Sequence, residues 1–319
     1  MTRLLDFVIV GAQKAGTTSL HRYLERHPRI YLPAEKEAFF FSHDDRYAAG
    51  WDWFVREFYR TAGPDKLWGK ATPQYMADPT VPDRMAETAP NVRLIALLRN
   101  PIERAYSHYR MTWRRGLEKQ SFDEVIRRLT GDAAASRARG LRVGPLAEAE
   151  CCLAWGEYGR ILAAYLERFP RPQLLIQFTE VLKEDPQRVL DAVTMHLGLG
   201  LGFTPPNLGR QYHRGGSRDR VPWLRGLVRH APFSALWRSL PARYQRYLTF
   251  WGNVVNVAPA GDDLAPIRRE TRLLLTDFFR ADVERLRALT GLTPPWPEFM
   301  TGGANRGRRS EPFGSGAVP

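Results

Sequence analysis

The chain has 319 residues, 44% of them hydrophobic, and its 47 Lys and Arg against 34 Asp and Glu give a net charge of +13. That is material for one large core or at most two, and the sign points to an anionic partner: nucleotide, acidic glycan, nucleic acid or membrane surface. The only cysteines, Cys151 and Cys152, are adjacent, which excludes a disulfide framework and metal-ligand spacing and points to a reducing cytosol.

The run Phe7 to Val10 is short, apolar and β-branched, and Gly11 and Gly16 follow it with four residues between them before Thr17, Thr18 and Ser19. This reads as strand, glycine loop and helix, with the helix over Thr17 to His27 and a stop at Pro28. In a nucleoside-triphosphate loop a Lys follows the second glycine and reaches the β/γ-phosphates. Here Thr17 stands in that place, and the lysine is Lys14, inside the loop. Lysine occurs only at positions 14, 36, 66, 70, 119 and 183, so one inside a motif carries weight. The loop can still wrap an anion in backbone N–H groups, but its charge meets a different atom from the one an ATPase needs. No signal peptide is expected ahead of this strand, and no apolar run approaches the ~18 residues of a membrane span. A cytoplasmic protein follows as the expectation, and the richness in Arg, Ala, Gly and Pro suggests a GC-rich bacterial coding sequence.

Further along, Val92 to Leu98 and Leu174 to Phe178 read as buried strands. Helical periods cover Phe122 to Leu129, Leu153 to Phe169, Pro186 to Leu197 and Leu264 to Leu289, the last as one or two helices closed by Gly291. Residues 131–149, rich in Ala, Gly and Arg, read as a surface loop or lid. Trp51, Trp53 and Phe54 suit either an acceptor cleft or core packing. The alternation of strand-length and helical segments predicts an α/β fold, P-loop-like, with a central, mainly parallel β-sheet flanked by helices. It fills one domain over residues 1–300, and residues 301–319 hold too few apolar groups to pack, as in a disordered tail.

The second informative stretch is LLRNPIERAYS, Leu97 to Ser107. Where a nucleoside triphosphatase often sets a Mg²⁺-organising Asp after a strand, this chain has Arg99, which binds an anion and repels a metal. Asn100 caps a helix that Pro101 opens. Ser107 lies about two turns on, where its hydroxyl can share a second phosphate with Arg99.

These segments, with KEAFFFS, GKATPQYM, the stretch LLIQFTEVLKEDPQRVLDAVTMHLGL and ADVERLRALTGL, resemble the sulfotransferases that use 3′-phosphoadenosine 5′-phosphosulfate (PAPS), in the branch of heparan sulfate and bacterial sulfotransferases. The resemblance runs over roughly residues 7 to 297 and is weakest at 120 to 150 and 220 to 260. It implies PAPS as co-substrate, 3′-phosphoadenosine 5′-phosphate (PAP) as product, and no metal. Lys14 then neutralises the bridging oxygen as the sulfuryl group leaves, while Gln13, Ala15, Gly16, Thr17, Thr18 and Ser19 surround the 5′-phosphate. Arg99 and Ser107 match the grip on the 3′-phosphate. Glu37 matches the general base, and Lys70 a lysine near donor and base, although Gly69 stands where many relatives carry Glu. His21, His27 and His43 remain alternatives to Glu37. Arg214, Gly215, Gly216 and Ser217 resemble a late glycine-containing loop that closes over the 3′-phosphate.

The acceptor is then a hydroxyl or amine of a glycan, lipid or small metabolite, with no nucleic-acid partner and no stable membrane insertion, and the oligomeric state is open. Two other classes compete: a P-loop nucleotide kinase or NTPase, against which Thr17 and Arg99 count, and a basic nucleic-acid-binding protein, which leaves the placement of Lys14, Arg99 and Ser107 unexplained.

Overall fold

The computed structural model describes residues 3–212, 217–219, 257–259 and 264–300. Its central sheet is parallel throughout, in the spatial order β2 (Ile30–Tyr31), β3 (Leu67–Ala71), β1 (Phe7–Gly11), β4 (Arg93–Leu98) and β5 (Leu174–Phe178). Strand β1 lies in the middle and is buried along its whole length, which is why its sequence is a continuous apolar run rather than an alternation. The α/β expectation and the three strands read from the sequence hold.

Strands β2 and β3 are additions. Strand β3 reads LWGKA, a poor strand sequence with a glycine and a lysine in it, and packing imposes its conformation. A Cβ at Gly69 would stand 2.1 Å from the Phe7 ring of β1, so this close approach of neighbouring strands admits only glycine.

Helix α1 (Thr17–Leu24) ends before His27, because the last turn tightens: Arg26 N–H bonds to Tyr23 O and His27 N–H to Leu24 O, three residues back. The residue before a proline disfavours the α conformation. The expected helix over Leu153 to Phe169 is broken into a single turn at Ala154–Gly156 and a helix, α9 (Tyr158–Leu166). Its N-terminus is capped from a distant element. Asp282 accepts from Gly159 N–H and Arg160 N–H, each at 2.8 Å. Asp282 belongs to α12 (Arg269–Thr290), one helix closed by Gly291, which packs against α9 and α5 (Pro101–Arg114).

Residues 131–149 correct the loop expectation. They form helices α7 (Asp132–Gly140) and α8 (Pro145–Glu150), and Ala138, Ala147, Cys151, Ala154 and Trp155 make a second, small core. An apolar face built from alanine carries little hydrophobic signal in the sequence, but it lets helices approach closely. The segment is tied down. Arg142 donates to Asp44 at 2.7 and 2.8 Å and to Ser42 O at 2.7 Å, and Val143 N–H donates to Asp78 at 2.9 Å. Cys152 is buried as well. Trp51, Trp53 and Phe54 gather around Phe40 as part of the main core. No helix among the described residues is long and apolar enough to cross a membrane. Residues 301–319 lie outside the described residues.

Candidate functional site

A cleft of about 650 Å³ opens at the carboxyl ends of the strands, the usual place for a ligand in a parallel sheet. Each strand feeds it through the loop that follows. Gln13, Lys14, Gly16, Thr17, Thr18 and Ser19 come after β1, Lys36 and Glu37 after β2, and Gln74 after β3. Arg99 follows β4 and Thr179 follows β5.

The loop after β1 turns through two left-handed residues, Lys14 at φ 72 and Gly16 at φ 94. Its carbonyls are occupied: Ala12 O accepts from Ala15 N–H at 3.2 Å, while Lys14 O accepts from Arg99 Nη1 at 3.3 Å. The Thr179 hydroxyl stands 2.6 Å from Ala15 O. With those carbonyls engaged and no side chain capping α1, backbone N–H groups are left to face an anion. Ala15 itself does not line the cleft; its N–H bonds to Ala12 O inside the turn.

Charge in the cleft is lopsided. Lys14, Lys36, Arg99, Arg110, Arg114, Arg115 and Lys183 line it against Glu37 and Glu103. Burial, and then the guanidinium groups of Arg115, Arg114 and Arg99, push the Lys14 ammonium down to about 8, against a smaller opposing pull from Glu148. Arg99 lies 3.8 Å from Glu103, and its carbonyl accepts from the Tyr158 hydroxyl at 2.9 Å. Asn100 caps α5, accepting from Ile102 N–H at 3.0 Å. The helix then carries Ser107, Arg110, Met111, Arg114 and Arg115 along the cleft at three- and four-residue spacing.

In the same cleft, Glu37 accepts from Gln74 Nε2 at 3.0 Å and from Lys36 Nζ at 3.4 Å. The segment around it is laced to the chain leaving β3: Ala38 N–H donates to Thr72 Oγ1 at 3.2 Å and Phe41 N–H to the Tyr75 hydroxyl at 3.4 Å. Lys70 acts one step further away. Its Nζ donates to Glu35 O at 2.7 Å and sits 3.9 Å from the centre of the Phe58 ring. Lys70 is 1% exposed, does not line the cleft, and is pushed down to about 7 by burial. None of the three candidate histidines lines the cleft either. His21 is buried and pushed down to about 3, mainly by that burial; His27 Nδ1 accepts from Arg29 N–H at 3.1 Å, and His43 stacks on Phe39.

Arg214, Gly215 and Gly216 lie outside the described residues. Ser217 opens a short strand, β6 (Ser217–Asp219), paired antiparallel with β7 (Val257–Pro259). Sequence reasoning missed Lys36, Gln74 and the basic ridge of α5. The ridge was findable from its spacing after Ser107, and Lys36 from the scarcity of lysine. Gln74 carried no signal.

The family model for the sulfotransferase domain matches residues 4–209. The chain belongs to the sulfotransferase family. This sulfotransferase is 29% identical over 308 residues to the human bifunctional heparan sulfate N-deacetylase/N-sulfotransferase 2, covering 93% of the chain but only 31% of that protein. It is 40% identical over 108 residues to the membrane-associated sulfotransferase kil1 of Dictyostelium discoideum, covering 33% of the chain and 22% of kil1. Among solved structures, a sulfotransferase from Alicyclobacillus acidocaldarius matches with a TM-score of 0.64 and 26% identity, over 92% of this chain and 98% of that one. The sulfotransferase therefore spans about a third of the human relative it matches.

Proposed function

We propose that the sulfotransferase moves the sulfuryl group of PAPS directly to a hydroxyl or amine of a small-molecule or glycan acceptor, with Glu37 as base and Lys14 at the leaving oxygen. The observation that carries this reading is that Lys14, Glu37, Arg99 and Ser107, from separate elements, line one cleft. The donor fits what the residues offer: an N–H-lined loop, and a Lys14 ammonium that burial and the neighbouring cations hold down until an anion arrives.

In the reaction the acceptor oxygen or nitrogen bonds to sulfur while the bond from sulfur to the phosphate oxygen breaks. Glu37 takes the proton that the acceptor loses. Lys14 and the loop N–H groups meet the charge that develops on the departing phosphate oxygen, and one such donor is worth about 3–4 kcal/mol in comparable sites. Arg99 and Ser107 hold the 3′-phosphate, the group that separates this donor from ATP. Lys36 takes the place beside the base that Lys70 was expected to fill, and Lys70 braces the loop that carries Glu37. Cys151 and Cys152, buried and without a disulfide, fit a reducing compartment such as the cytoplasm.

Calorimetry with PAP, and separately with ATP plus Mg²⁺, tests the reading. PAP should bind without metal and ATP should bind far more weakly. Mg²⁺-dependent binding of ATP with no response to PAP would instead establish the kinase or NTPase alternative.

A further inference from the structure

Glu148, on α8, stands beside a basic cleft but does not line it. Both of its carboxylate oxygens are engaged by residues that do. Oε1 accepts from Gln13 Nε2 at 3.3 Å, and Oε2 accepts from Arg115 Nη1. A carboxylate only accepts, so the first contact turns the amide nitrogen of Gln13 toward Glu148. The main chain of Glu148 is anchored as well, its carbonyl accepting from His108 Nε2 at 2.7 Å. That nitrogen therefore carries the ring proton, and His108 Nδ1 accepts from Arg104 Nη1 at 3.2 Å. His108 and Arg104 are fully buried. Burial, and then Arg104, holds His108 well below the usual imidazole range, so the ring is neutral.

His108 follows Ser107 on α5, and Arg115 lies about two turns further along that helix. Glu148 thus holds the helix of one anion grip at two places and, through Gln13, the loop of the other. Gln13 directly precedes Lys14, whose backbone is turned into the left-handed region at φ 72. An ion pair with the exposed Arg115 adds little to fold stability, and a negative charge in this place repels the phosphates that the cleft receives. What the carboxylate supplies is geometry. We propose that Glu148 is a positioning residue: it ties Gln13 to α5 and so fixes the loop that carries Lys14 at the separation from Arg99 and Ser107 that the two phosphates of the donor require. The inference rests on the reading of the donor as a nucleotide held at two grips. Glu148 also supports the Lys14 ammonium against burial and against Arg115, Arg114 and Arg99, while neutral His108 adds no charge.

Calorimetry with PAP, and with adenosine 3′-phosphate, which reaches only the grip of Arg99 and Ser107, tests the proposal. By electrostatics alone, removing a negative charge beside an anion site tightens PAP binding. Loss of a strut weakens it, so the sign of the change decides. Glu148→Gln should weaken PAP by about tenfold, the size of one good hydrogen bond, and leave adenosine 3′-phosphate unchanged. Its PAP affinity should also begin to fall at a lower pH than in wild type, because the ammonium has lost its supporting carboxylate. Glu148→Asp keeps the charge but is one methylene short of spanning both partners, so it should weaken PAP and retain the wild-type pH profile. Gln13→Met removes the other end of the contact without changing the charge. It should weaken PAP and spare adenosine 3′-phosphate, which carries the test if the Glu148 variants fail to fold, and Gln13→Met with Glu148→Gln should lose no more than either alone. PAP bound by Glu148→Gln as tightly as by wild type, or more tightly, overturns the proposal. So does an equal loss of adenosine 3′-phosphate, or additive losses in the double variant. A wild-type protein that ignores PAP takes down the donor reading itself, and this inference with it.

Discussion

Lys14 concentrates the chemistry of the cleft in one side chain. It is buried, crowded by Arg115, Arg114 and Arg99, and pushed down to about 8, so the free enzyme's affinity for PAP should fall as pH rises through that value and the ammonium is lost. Calorimetry between pH 7 and pH 9.5 checks this, and Lys14→Arg should flatten the step because a guanidinium keeps its proton there. The stability contribution runs the other way. The folded value lies below the unfolded 10.5, so the fold binds fewer protons between about 8 and 10.5, and this group's contribution rises with pH across that window. Lys14→Ala should lower kcat by ~10²–10³, the loss expected for one preorganised donor at the reacting oxygen. Glu37→Gln should keep PAP affinity and lose turnover; retained turnover with a sugar acceptor would remove Glu37 from the base role. Arg99→Ala should weaken PAP binding by about 10- to 100-fold, because it removes a charge-assisted hydrogen bond. Lys14, Arg99 and Ser107 stood out because each belongs to a motif with its own spacing, and Glu37 only through the family resemblance. Gln74 did not, because its hydrogen bond to Glu37 joins segments that lie apart in the chain and leaves no trace in the sequence.

At the level of elements, the break before α9 shows how one helix can dictate another. Asp282 on α12 caps α9 through two N–H groups, and burial pushes its carboxyl up to about 6 in spite of those bonds, which pull it down. A folded value above the unfolded 3.8 means stability that is fully present below about pH 4 and lost as pH rises through about 6. Melting curves from pH 4 to pH 7.5 should therefore slope downward more steeply in wild type than in Asp282→Asn. Asp282→Ala should destabilise the fold by about 1–2 kcal/mol near pH 4, the loss of a cap, and by less as pH rises, because alanine does not titrate. The helix period of Leu153 to Phe169 was genuine in the sequence, but propensity cannot register a carboxylate arriving from more than a hundred residues away. Strand β3 illustrates the converse. Its residues argue against a strand, and the place kept for it beside β1 overrides them.

Across the whole molecule, helices α7 and α8 and the turn between them tie the loop after β1 to the segment after β2. Arg142 grips Asp44 in the segment that follows Glu37, and Glu148 accepts from Gln13 of the phosphate-facing loop at 3.3 Å. A net charge of +13 surrounds a cleft that is itself basic, so the field should gather an anionic donor. PAP association measured by stopped flow should slow by about tenfold between 50 mM and 500 mM NaCl as that field is screened; an unchanged rate would mean that only local contacts matter. The sequence by itself determined the class of fold, the glycine loop with its displaced lysine, the arginine at the end of β4 and the family to which these belong. All of these are written within a few residues of one another, in hydrophobic runs and fixed spacings. Tertiary structure alone decided that Lys70 braces rather than lines the cleft, that residues 131–149 are packed helices, and that Lys36, Gln74 and the α5 arginines line the cleft. Those outcomes depend on which way a side chain leaves its strand or helix and on what stands opposite it, and that is settled only when distant segments are packed together.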